Sequence, residues 1–85
     1  MSRTKEKDRE RWLAAVGKAI RKYRTDAGLS QEALGYKAGL HRTYVSDVER
    51  GRRNPTAWTL FQLARTLGVT PSAIFRTAEE VLEEH

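Results

Sequence analysis

Residues 41–54 read HRTYVSDVERGRRN. Val45 and Val48 stand three apart, the spacing of side chains that share one face of a helix. With those two turned inward, the outer face carries Arg42, Thr43, Ser46, Asp47 and Arg50, and Tyr44 lies at its margin. The set holds two guanidinium forks, two hydroxyls and a carboxylate. These are donors and acceptors suited to hydrogen-bonded recognition, not a nucleophile paired with its base. The two histidines, His41 and His85, are far apart, and neither belongs to a metal-binding H-x-x-x-H or E-x-x-H spacing. Cysteine is absent, which excludes disulfides and thiolate metal sites. No glycine-rich phosphate loop follows a strand. The chain is therefore not expected to be an enzyme, and no catalytic residue, metal or cofactor is expected.

Something must hold that outer face in place. Residues 1–8 are polar and read as a frayed segment, with a single domain over 9–85. From about Arg9 the apolar positions Trp12, Leu13, Val16, Ile20, Tyr23 and Ala27 form one helical stripe, and Gly28 closes it. Ser30 caps a second helix, QEALGYKA, with Glu32 in its first turn, Leu34 and Ala38 inward, and Gly39 at its end. The third helix carries Val45 and Val48 and stops at Gly51. GRRNPT is a turn by composition. Thr56 caps a fourth helix with Leu60, Phe61, Leu63, Ala64 and Leu67, stopped by Gly68. Thr70 caps a fifth, with Pro71 in its first position and Ile74, Phe75, Ala78, Val81 and Leu82 along it. No segment alternates with the period of a strand. The reading is an all-α bundle of five helices.

Two short helices joined by three or four residues meet at a steep angle. That junction needs a small residue at the contact, a turn residue free of Cβ strain, and apolar inner faces. Gly35, Gly39, and the set Leu34, Ala38, Leu40, Val45 and Val48 answer those three needs over residues 31–50.

The chain of 85 residues has a formal charge of +5. Residues 1–28 hold nine basic and four acidic side chains, residues 29–58 five and three, and residues 59–85 two and four. The first two thirds are basic and the C-terminal third is acidic. This suits a polyanion partner, with a solvated basic surface as the plainer alternative. No signal peptide or membrane-length apolar run is present, so the cytoplasm is the expected location and no membrane partner is expected.

Residues 31–50, QEALGYKAGLHRTYVSDVER, resemble the DNA-binding helix-turn-helix of the Xre family, the Cro and phage-repressor type. The likeness continues through IRKYR and LSQEAL before the turn and through VSDVERGRRNPT and LFQLARTLGVTPSAIF after it, about Gly17 to Phe75. It implies a lambda-repressor-like bundle and a bacterial or phage transcription regulator that binds double-stranded DNA. In that docking mode residues 42–50 enter the major groove. Arg42, Thr43, Ser46 and Asp47 would meet bases, with Arg42 suited to guanine O6 and N7. Asp47 has three alternatives: accepting from cytosine, orienting Arg42, or repelling phosphate. Gln31, Tyr44, Arg50, Arg52, Arg53 and Asn54 would meet phosphates. The resemblance also implies a structural pair, Arg24 with Glu49.

Departures from the family pattern fall at His41, a weak cap in preference to a phosphate donor, and at Trp58. Trp58 is either an exposed interface residue or a filler of the space beside Ala57. A homodimer on a palindromic operator is expected, with Trp58, Phe61, Ala78, Val81 and Leu82 as interface candidates. The Ala78–Val81–Leu82 stripe has an alternative, packing on Trp12 and Leu13 of its own chain. Tyr36 and Lys37 read as solvated surface, as do the mixed charges of residues 3–11. The family includes restriction–modification controllers, prophage repressors and antitoxins, and two other readings compete with regulation. One is an antitoxin-like or adaptor module that binds protein through the C-terminal stripe, and the other is nonspecific nucleoid binding.

Overall fold

The structure, a computed structural model, describes residues 2–84; His85, expected to be a frayed end, lies outside the described residues. Five helices follow in order: α1 (Ser2–Asp26), α2 (Gln31–Ala38), α3 (Arg42–Glu49), α4 (Ala57–Leu67) and α5 (Pro71–Glu83). No strand occurs among the described residues. The hydroxyls of Ser30, Thr56 and Thr70 accept the backbone N–H three residues on, at 3.0 to 3.1 Å, and so start α2, α4 and α5. The expected caps are therefore present at each of those helices. Gly39 ends α2 in the left-handed region at φ 74°, and the Leu40 N–H closes the turn on the Gly35 carbonyl at 2.7 Å.

α1 starts at Ser2, inside the segment expected to fray, and not near Arg9. Residues 4–11 of its opening turns are all exposed. Nothing in their composition breaks a helix, but no apolar stripe marks it either, which is why periodicity missed these turns.

α1 and α5 pack along each other, α2 packs on α3 and α4, and α3 packs on α1. The core is Val16, Ala19 and Ile20 from α1, Leu34 from α2, Val45 and Val48 from α3, Leu63 and Ala64 from α4, and Ile74 and Ala78 from α5. Leu13, expected in that core, is only half-buried and lines surface recesses beside Trp12 and Asn54. Trp12 instead leans on Phe75, with ring centroids 5.8 Å apart. The Tyr23 hydroxyl lies 2.7 Å from the Thr77 hydroxyl and ties α1 to α5 a second time.

Candidate nucleic-acid interface

α3 has eight residues, too few to be stable alone, so its position is set by what it packs against. Val45 and Val48 enter the core. At Gly17 on α1, a Cβ would lie 2.5 Å from the carbonyl oxygens of both Val48 and Glu49. Only glycine lets α1 approach the end of α3 this closely. Gly35 plays the same part at the turn, where a Cβ would stand 2.6 Å from the Leu40 carbonyl oxygen. The expected small residue is thus at the helix contact. Gly17 was missed, although a glycine inside a helical stripe is itself a sign of close approach.

Glu49 is the centre of the brace. Its carboxylate accepts from Arg24 Nε at 2.6 Å and from a terminal Arg24 nitrogen at 3.0 Å. A third bond comes from Gln31 Nε2 at 3.0 Å, and the other terminal nitrogen of Arg24 donates to the Leu29 carbonyl at 2.8 Å. Arg24 and Glu49 side chains are 11% and 3% exposed. The hydrogen bond it donates to Glu49 raises the Arg24 pKa above its ordinary value against the opposing effect of burial. One buried carboxylate thereby joins α1, the turn before α2, α2 itself and α3. The bond from Gln31 was not foreseen, because it depends on how α2 crosses α3.

The outer surface of this assembly is an open recess lined by Gln31, Arg42, Thr43, Ser46, Asp47 and Arg50. The four residues expected at bases and two of those expected at phosphates therefore share one concavity. Gln31 has no further hydrogen bond among the described residues, so its second N–H and carbonyl oxygen remain available. His41 accepts the Thr43 N–H on Nδ1 at 3.2 Å and so caps α3, the preferred of its two alternatives. Asp47 lies 3.5 Å from Arg53 Nε, and Arg53 stands over the Tyr44 ring at 5.5 Å. Among the described residues its ion-pair partner is Arg53 and not Arg42. The Arg52 N–H donates to the Asp47 carbonyl at 2.8 Å, which folds the following loop back on α3. Arg50, Arg52, Arg53 and Asn54 are exposed. With Glu49 neutralised by Arg24 and Asp47 beside Arg53, the face as a whole is cationic. It can hydrogen-bond base edges and attract phosphates.

The expected interface residues divide. Ala78 is 0% exposed inside the core, so it cannot touch a second molecule and is withdrawn from the candidates. Val81 and Leu82 are half-buried against the core and line a recess with Arg11, Ala14, Ala15 and Lys18 of α1; the stripe thus faces α1 of its own chain, but not through Trp12 and Leu13. Trp58 and Phe61 are exposed and stacked, with ring centroids 5.8 Å apart, so Trp58 does not fill space beside Ala57. No described group of His, Asp or Glu could hold a metal ion, and no described helix is long and apolar enough to cross a membrane.

A family model described as helix-turn-helix matches residues 20–74. An uncharacterized HTH-type transcriptional regulator, y4dJ of Sinorhizobium fredii, is 40% identical over 65 residues, 76% of this chain and 84% of that protein. The crystal structure of the restriction–modification controller protein C.AhdI from Aeromonas hydrophila superposes with a TM-score of 0.73 at 43% identity. It covers 74% of this chain and 96% of that one. The restriction–modification controller C.Esp1396I gives a TM-score of 0.78 at 35% identity, over 87% and 96% of the two chains.

Proposed function

The chain belongs to the helix-turn-helix family of Xre-type transcriptional regulators, and from that premise we propose that it reads one specific duplex sequence as a homodimer on a palindromic operator. The family is not enzymatic, and its partner is DNA. The observation that carries the proposal is the single recess on which Gln31, Arg42, Thr43, Ser46, Asp47 and Arg50 converge. Arg42 and Thr43 begin α3, the end that reaches furthest into the major groove, and take the bases together with Ser46. Asp47 steadies Arg53 and accepts from cytosine. Gln31, Tyr44, Arg50, Arg52, Arg53 and Asn54 take phosphates and supply salt-dependent affinity.

Two copies are needed because one short helix spans few base pairs. A two-fold pair sets two α3 helices about 34 Å apart on successive major-groove faces. The surface best suited to that pairing is an apolar recess of about 320 Å³ lined by Trp12, Leu13, Ala57, Leu60, Pro71 and Phe75. It adjoins the loop after α3 through Asn54. The C-terminal stripe that favoured an antitoxin-like or adaptor module is folded on α1. Such a regulator works in the cytoplasm, beside the genome it reads.

Selection from a random duplex pool at physiological salt tests the proposal. A two-fold-symmetric motif is the expected result, and salt-sensitive binding without enrichment of any sequence would overturn it.

A further inference from the structure

On the flank formed by α2 and α4 lies a second surface. Trp58 is 65% exposed and Phe61 42%, and their rings stack with an interplanar angle of 24°. They form the floor of an open groove of about 500 Å³ that also takes in Gln62 and Thr66. Its only charged lining residues are Lys37 and Arg65. An exposed tryptophan stacked on a phenylalanine forfeits the transfer free energy that burial of either ring would give. Nothing in the fold needs this arrangement, because the core is complete without either ring. The groove shares no residue with the recess on α3, and none with the apolar recess around Trp12 and Phe75.

We propose that this aromatic groove docks an acidic amphipathic helix of a partner protein. The apolar face of such a helix, spaced at three and four residues, covers the Trp58–Phe61 stack. Its flanking carboxylates pair with Lys37 and Arg65, the two cations that bound the groove. A basic or neutral helix would leave both cations facing an apolar or like-charged surface, which is the electrostatic discrimination such a rim supplies. Tryptophan and arginine are also the residues that most often dominate binding at interfaces. Because α4 is separate from the recognition surface, partner and DNA can be held together.

The experiment uses the full chain as bait against a displayed library of randomised helical peptides. Enriched peptides are then measured by fluorescence anisotropy against the parent, Trp58→Ser and the double variant Lys37→Glu/Arg65→Glu. All three positions are exposed, and circular dichroism and operator binding confirm that each variant is folded. The expected result is enrichment of peptides with glutamate or aspartate flanking a leucine-like stripe, with affinity falling about tenfold or more in each variant, while DNA binding of Trp58→Ser, which keeps the charge, stays within about twofold. Enrichment of basic peptides, or of peptides that bind Trp58→Ser as well as the parent, overturns the proposal. So does sedimentation showing that Trp58→Ser converts a dimer to a monomer, since the groove's occupant is then a second copy.

Discussion

Arg24→Met is the most informative single substitution, because it strands a carboxylate that is 3% exposed. Glu49 would keep only the Gln31 amide, having lost two charge-assisted bonds of 2.6 and 3.0 Å. Breaking a buried pair from one side costs about 3–5 kcal/mol. The geometry places this pair at the costly end of that range, because the carboxylate is 3% exposed and the replacement side chain offers it no donor. Urea melts of the parent and Arg24→Met at neutral pH should therefore differ by about 3–5 kcal/mol.

Glu49→Leu is the control. It strands the Arg24 guanidinium from the other side, and its cost should fall in the same range. In the parent, the hydrogen bond to Glu49 raises the Arg24 pKa above its ordinary value, so its contribution is fully present at neutral pH and is lost only in strong base. An 85-residue domain has roughly 4–13 kcal/mol of stability, so urea melts will resolve these differences. The double variant Arg24→Met/Glu49→Leu should recover most of either loss. A cost below about 1 kcal/mol for Arg24→Met would show that water solvates this pair like a surface ion pair.

Further outcomes follow from the same geometry. Gly17→Ala forces a Cβ against the carbonyls of Val48 and Glu49, so thermal unfolding should show a loss of about 1–3 kcal/mol, and a neutral result would mean α1 and α3 separate freely. His41→Ser replaces a 3.2 Å ring-nitrogen cap by a hydroxyl and should stabilise by about 0.5–1 kcal/mol in denaturant melts. Arg42→Ala should cost about 1–3 kcal/mol of discrimination at one base position of the selected operator. Arg52→Ala should instead weaken all sequences alike and reduce the slope of log affinity against log salt by about one.

Helix boundaries were legible because each is written locally. A hydroxyl three residues before a backbone N–H, or a glycine where φ must be positive, needs no tertiary information, and α2, α4 and α5 begin where those signals stand. The outer face of α3 was legible for the same reason, since removing Val45 and Val48 leaves the recess residues. Apart from the opening turns of α1, which no apolar stripe marks, the missed features depend on how one helix crosses another. Ala78 looks like its neighbours Val81 and Leu82 in the stripe, yet only the approach of α1 decides that it is sealed. Leu13 fits the α1 stripe, but the helices leave it beside the loop at Asn54. Likewise, Gln31 reaches Glu49 and Asp47 reaches Arg53 only because of the angle between α2 and α3 and the fold of the loop after α3.

That division bears on recognition itself. Under the proposed reading, a helix of eight residues presents its outer side chains to base edges usefully only if it does not tilt, and a displacement of about 1 Å is enough to spoil paired hydrogen bonds. Three independent contacts resist the tilt: Val45 and Val48 in the core, the Gly17 approach to the last carbonyls of α3, and the Glu49 brace. The brace reaches α3 from below, while the side chains of Arg42 and Thr43 project above and bear none of the load. Sequence preference can therefore change at Arg42, Thr43 and Ser46 with little effect on stability. The residues that fix the angle of the helix cannot change without changing both.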